Sequence, residues 1–300
     1  MSRLVAMVCN DPDRLRCALH PVQQALWAAP ELADGSRGFD AWGIGLYQGG
    51  EVLLKRRPQH SVAPVDFFAI AADLRTDTFI AHARTATVGD NRNENTHPFR
   101  FRSWLFAHHG TLPGFGGDDP ARPSSEQAAL TETLLAEIPD FLRRSLRGQT
   151  DSELLFHLFL TRLHETNHLD IAEVRLADAQ AALQRTLVKL ERVLAQRAPR
   201  AGRNFGALVL ANGRYLMAAG RGTAIHASRV DGISDCEVCR GNNVASHKLV
   251  SHDHLRAVLL LADVPALSGA AAALFRTVPD DTLLTIARDL TVTELPLGQV

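Results

Sequence analysis

Met1-Ser2-Arg3-Leu4-Val5-Ala6-Met7-Val8-Cys9 opens the chain, a polar start followed at once by an apolar run. A short apolar run of this kind reads as a buried strand, here Arg3–Cys9, beginning almost at the first residue. Outward from it, Val22–Ala29 reads as a short helix behind Pro21. Ala41–Tyr47 and Glu51–Lys55 read as paired strands around Gln48-Gly49-Gly50, a hairpin signal. Pro64–Leu74 has the apolar spacing of an amphipathic helix, and Thr78–Arg84 and Trp104–His108 are strand-like segments expected in the core sheets. Gly114–Pro123 is dense in Gly, Asp and Pro and reads as loop.

Helices follow. Ser124–Glu137 has Ser124 or Ser125 as its cap, and Asp151–Leu163 starts with acidic residues suited to a helix N-terminus. Ile171–Gln196 is long, charged and amphipathic, with basic residues gathering towards its end. From Asn204 the texture changes to short strands, Phe205–Ala211, Tyr215–Ala219, Ala224–Ser228, Val244–Val250 and Leu283–Ile286, with a turn at Asn212-Gly213. Strands at both ends with helices between them predict an α+β fold.

Composition narrows the function classes. The 300 residues are 46% hydrophobic and 22% charged, enough for a substantial core. A formal net charge of −1 supplies no long-range field to draw nucleic acid or an anionic membrane, so neither is an expected partner. No apolar run reaches the ~20 residues that span a bilayer, and the start lacks a basic region followed by an apolar stretch. A cytoplasmic location is the expectation. Four cysteines do not make a disulfide framework.

Five further strings occur in order: Asp40-Ala41-Trp42-Gly43-Ile44-Gly45, His82-Ala83-Arg84-Thr85-Ala86-Thr87, Asn95-Thr96-His97-Pro98-Phe99, Ala107-His108-His109-Gly110-Thr111-Leu112 and Thr150-Asp151-Ser152-Glu153. With the opening, this set resembles the glutaminase domain of class II glutamine amidotransferases, within the N-terminal-nucleophile hydrolase superfamily. Its look-alikes include stand-alone γ-glutamyl amidases. The resemblance implies a four-layer αββα sandwich over residues 1–300 as one domain, with residues 160–200 as a helical insertion. The matches fall in the first half of the chain, with weaker echoes at Val244-Ala245-Ser246 and Val278-Pro279-Asp280.

The same resemblance implies the site. The family begins Met-Cys, and this chain has Ser2 in place of the cysteine nucleophile. An N-terminal nucleophile passes its side-chain proton to its own α-amine, whose reference pKa is ~7.7–8.0. The small residue at position 2 permits removal of Met1, and serine lacks the reactive thiolate of cysteine. Arg84 matches the H-x-R-x-A-T pattern; its planar guanidinium suits the α-carboxylate of glutamine, with Thr87 beside it. Asp151 matches the position that pairs with the substrate α-ammonium, although an Asp there is also an ordinary helix cap. The family oxyanion hole is His-Asn-Gly. Here Gly110 retains the backbone donor and His109 replaces the asparagine. His97 reads as a hydrogen-bonding structural group within a turn.

Two functions stay open on these residues. One is hydrolysis of glutamine or a γ-glutamyl amide through Ser2, with ammonia released or passed to a synthetase partner. The other is a non-catalytic γ-glutamyl-binding or assembly subunit. No phosphate-cradling glycine loop occurs, so no nucleotide is implied, and no cofactor is expected. Cys236-Glu237-Val238-Cys239 is a single C-x₂-C with His226, His247, His252 and His254 in the same region. Zinc needs four ligands in tetrahedral array, and no second C-x₂-C supplies the other two. Two cysteines in a loop, or a weak redox pair, is the preferred reading, and no metal is expected.

Overall fold

β1 (Arg3–Cys9) is buried along its whole length. It lies between β4 (Thr78–Arg84) and β10 (His252–Ala262), antiparallel to both. The computed structural model describes residues 3–20, 41–58, 70, 74–84, 92–115, 124–198, 202–241, 250–262 and 269–298. The sheet around β1 is completed by β2 (Ala41–Gln48), β3 (Glu51–Pro58), β9 (Ile225–Ile233) and β11 (Arg276–Val278), in the order β11-β9-β10-β1-β4-β2-β3. A second antiparallel sheet contains β5 (Phe99–Phe101), β6 (Trp104–His109), β7 (Gly206–Ala211), β8 (Tyr215–Arg221), β12 (Thr282–Ala287) and β13 (Val292–Pro296), ordered β13-β12-β8-β7-β6-β5.

Strand alternation sorts the side chains into layers. Leu4, Ala6 and Val8 of β1 and Ile80 of β4 meet Leu105 and Ala107 of β6 between the sheets. Val5, Met7 and Cys9, with Phe79, Ala81 and Ala83, face outward on to Leu15, Ala18 and Leu19, which belong to a helical stretch at 15–20. On the far side, Trp104 and Phe106 of β6 and Leu208 and Leu210 of β7 pack under helices. Those helices are α1 (Ser125–Ala136), α2 (Asp140–Arg143), α3 (Asp151–Glu165) and α4 (Leu176–Arg197). The α+β fold expected from the residues, and the αββα sandwich that the resemblance implies, are the observed architecture.

Local chemistry sets the helix boundaries. Gln127 N–H donates to Ser124 Oγ at 3.1 Å, and Ser124 N–H returns to Gln127 Oε1 at 2.6 Å, a reciprocal cap that starts α1. Thr150 caps α3 through Glu153 N–H at 3.1 Å. The helix expected over Ile171–Gln196 begins instead at Leu176. An earlier start would need the Val174 carbonyl for Asp178, and Tyr215 Oη takes that carbonyl at 3.0 Å. Gln180 Nε2 donates to Thr285 Oγ1 at 3.1 Å, so α4 lies against the second sheet.

β10 was not among the expected strands, and β9 runs on to Ile233 rather than ending at Ser228. The Ala257–Ala262 part of β10 is buried on both faces and so lacks the alternation that would separate a strand from a buried helix. Ser2, Thr87, the helix expected at Val22–Ala29, nearly all of Pro64–Leu74 and of the Gly114–Pro123 loop, and Val244–Val250 up to residue 249 lie outside the described residues. Among the described residues, no helix is long and apolar enough to cross a membrane.

Candidate active site

β4 carries the first residues of the site. Ile80 faces the second sheet, so His82 and Arg84, at steps of two, share its face. β1 pairs Arg3 with Ala83 and Leu4 with His82, which ties the first described residue of the chain to the Arg84 end of β4. Arg84 is buried and donates from Nη1 to the backbone carbonyl of Asn95.

The Thr150-Asp151-Ser152-Glu153 string is fully buried, and each member holds a different neighbour. Thr150 caps α3. Asp151 Oδ2 accepts the Leu112 N–H at 2.6 Å. Ser152 Oγ lies 2.8 Å from His108 Nδ1. Glu153 accepts the N–H groups of Arg147 and Gly148 at 2.9 and 2.7 Å. Burial pushes the Glu153 carboxyl above its ordinary range, against the pull of those two amides. Asn95 joins the two halves: its carbonyl takes Arg84, and its side-chain oxygen takes the Gln149 N–H at 2.8 Å.

Four histidines crowd the same end. His108 Nε2 donates to the Phe205 carbonyl at 2.5 Å, which leaves Nδ1 to accept the Ser152 hydroxyl and defines the tautomer. Burial lowers the His108 pKa, opposed by the nearby Asp151 carboxylate. His82 and His97 are buried with ring centroids 4.4 Å apart. Among the described residues, none of their four ring nitrogens has a hydrogen-bond partner. Desolvation holds both well below the usual histidine range, and the cations and rings of Arg84, His108 and His109 add to the shift. Both are neutral imidazoles at neutral pH.

His109 closes β6, opposite Ala207 of β7. Leu105 and Ala107 point between the sheets, so His109 continues that row toward His82 and Arg84, whereas His108 faces the helices. Gly110 follows at φ 132°, a left-handed conformation that favours glycine. A Cβ on it would lie 2.9 Å from the Phe205 carbonyl oxygen, and one on Gly206 would lie 2.1 Å from that of His109. Two backbones cross here with no room for side chains, so glycine at 110 is required by packing apart from any oxyanion role.

Of the expected site residues, Arg84, His109, Gly110 and Asp151 come to one end of the sandwich through this chain of contacts. Ser2 and Thr87 are not described. Sequence reading missed Asn95, His82, His108, Ser152 and Glu153 as organising groups. All five lie inside the quoted strings, so their neighbours in those strings were the available signal.

Likeness to solved structures points the same way. A glutamine aminotransferase class-II domain protein from Silicibacter pomeroyi superposes with a TM-score of 0.56 at 18% identity, over 99% of this chain and 100% of that one. The glutamine phosphoribosylpyrophosphate amidotransferase of Bacillus subtilis gives 0.54 at 13% identity, over 99% of this chain and 50% of that one. At these identities the likeness is one of fold, the N-terminal-nucleophile hydrolase sandwich. The family model for class-II glutamine amidotransferases matches residues 1–231, and the chain belongs to that family. A Haemophilus influenzae protein carrying the family's name is 26% identical over 225 residues, 73% of this chain and 62% of its own length. The γ-glutamyl-hercynylcysteine sulfoxide hydrolase of Mycobacterium tuberculosis is 31% identical over 134 residues, 44% of this chain and 54% of its own. The chain spans less than two thirds of the length of these relatives.

Proposed function

We propose that this chain hydrolyses the γ-amide of glutamine or of a γ-glutamyl compound, with Ser2 as an N-terminal nucleophile exposed by removal of Met1. The carrying observation is the pairing of Arg3 with Ala83, one residue from Arg84, in a chain of this family. In this reading Arg84 binds the α-carboxylate, Asp151 the α-ammonium, and Thr87 the same head group. Ser2 Oγ attacks the γ-carbonyl carbon and gives its proton to its own α-amine. The tetrahedral oxyanion receives the Gly110 N–H and a His109 ring N–H. The amine then protonates the departing nitrogen, leaving a γ-glutamyl ester on Ser2 that water hydrolyses by the same route. Ammonia or an amine leaves, free or to a synthetase partner, in the cytoplasm.

A second reading, non-catalytic binding of the γ-glutamyl head group, is favoured by the two replaced positions. His109 puts a ring where the family has an amide, and one missing oxyanion donor costs ~10²–10³ in rate. Intact mass and a glutaminase assay on the purified chain separate the readings. Hydrolysis requires a chain lighter by Met1 and a rate that rises with pH as the amine deprotonates near ~8. Retained Met1 blocks the amine and leaves only binding.

A further inference from the structure

On the outer face of the seven-stranded sheet, away from Arg84, three chain segments bring Cys17, Cys236, Cys239 and His252 together. Cys17 belongs to the helical stretch at 15–20 that follows β1. Cys236 and Cys239 bracket the start of a short helix, α5 (Glu237–Gly241), and His252 is the first residue of β10. One ligand atom from each lies within 4.8 Å of all the others. Cys17 Sγ is 3.6 Å from Cys239 Sγ and 3.6 Å from His252 Nε2, and Cys239 Sγ is 3.3 Å from that same nitrogen.

We propose that these four residues bind one zinc ion as a closed, structural Cys₃His site. Zinc–sulfur bonds of about 2.3 Å and zinc–nitrogen bonds of about 2.0 Å at tetrahedral angles set S···S near 3.8 Å and S···N near 3.5 Å. The three separations among Cys17, Cys239 and His252 fit that tetrahedron, and Cys236 Sγ lies within 4.8 Å of each. A disulfide would need sulfurs at about 2.05 Å and would use only two of the three thiols. Three thiolates and a neutral imidazole around a divalent ion leave a net negative charge, and Arg14 answers it, with Nη1 3.9 Å from Cys239 Sγ. Cys236 N–H is anchored on the Val250 carbonyl at 2.7 Å, which ties the C-x₂-C pair to the segment entering β10. With four protein ligands no position is left for water or substrate, so the ion holds structure rather than doing chemistry. It fastens the segment that leaves β1 to the one that enters β10, its sheet neighbour.

The test is metal analysis of the purified full-length chain. Zinc at one ion per chain is expected, and cobalt(II) in its place should give sulfur-to-cobalt charge-transfer bands with tetrahedral visible bands. Cys17→Ala and Cys239→Ala should each cut bound zinc by at least about tenfold. Cys9→Ala should keep it, because Cys9 is buried against the Thr76 carbonyl and outside the cluster. If the ligand variants do not fold, zinc released from wild type by a mercurial thiol reagent gives the same answer. Wild type without zinc and without cobalt charge-transfer bands, or peptide mapping that finds a Cys17–Cys239 disulfide, overturns the proposal.

Discussion

The inward and outward faces of one sheet hold the two chemically dense regions of this chain, and they are built in opposite ways. At the Arg84 end, polar groups are held by hydrogen bonds to other groups of the chain: Asp151 by Leu112, Ser152 by His108, Glu153 by Arg147 and Gly148. At the Cys17 cluster, one residue from each of two segments joins a C-x₂-C from a third, and their ligand atoms face mainly one another. The first is a preorganised polar network, costly to disturb because the side chains of His108, Asp151, Ser152 and Glu153 are buried. The second is completed by something the chain does not itself supply.

Four perturbations separate the two, from the largest expected effect down. Stripping zinc with a chelator should destabilise the chain by about 4 kcal/mol or more, the linkage expected for an ion held about a thousandfold above its dissociation constant. Melting curves of stripped and reloaded protein measure it, and unchanged curves would erase the contrast. Arg84→Ala should weaken binding of glutamine or a γ-glutamyl ligand by one to two orders of magnitude, since a charge-assisted bidentate contact contributes about 1.5–3 kcal/mol. Calorimetry reads this directly, and the variant should keep its zinc.

Acidification should act on the Arg84 side. His82, His97 and His108 all have pKa values lowered by burial, so the folded chain keeps them neutral while the unfolded chain protonates them. Stability is therefore full above the unfolded histidine value of about 6.5 and falls as pH drops below it, by up to about 1.4 kcal/mol per pH unit per group. Glu153, raised by burial, works in the opposite direction just above its ordinary value near 4.5. Denaturant midpoints between pH 7.5 and 5.5 should fall, and His82→Phe should flatten the slope; a flat wild-type profile contradicts the buried neutral histidines. The smallest effect belongs to Ser152→Ala, which removes the donor to His108 Nδ1 and should cost about 1 kcal/mol, roughly 2 °C in Tm.

Legibility followed the same division. β1, β4, β6, α1 and α3 were readable because their apolar spacing and caps are local, and the ordered strings grouped Arg84, His109, Gly110 and Asp151, which the fold brings to one end of the sandwich. β10 was not readable, because its apolar half, Ala257–Ala262, is short and made mostly of the helix formers Leu and Ala, and its first half is polar. That omission also hid the metal ligands. His252 stood among four candidate histidines and became a ligand only once β10 set it beside α5, while Cys17 lies 219 residues before Cys236 in sequence, with no spacing rule to join them. The roles of Ser152, Glu153 and Asn95 were hidden for a related reason: Ser152 meets the His108 ring, Asn95 takes the Gln149 N–H, and Glu153 takes two N–H groups of the turn before α3, pairings that only the fold reveals.

The most direct test compares wild type with Ser2→Ala, each assayed for γ-glutamyl amide hydrolysis and for ligand binding by calorimetry. Wild type should hydrolyse and bind, and Ser2→Ala should bind with little change and release no ammonia. Equal rates in the two proteins, or ligand binding by both with hydrolysis by neither, would contradict Ser2 as the nucleophile.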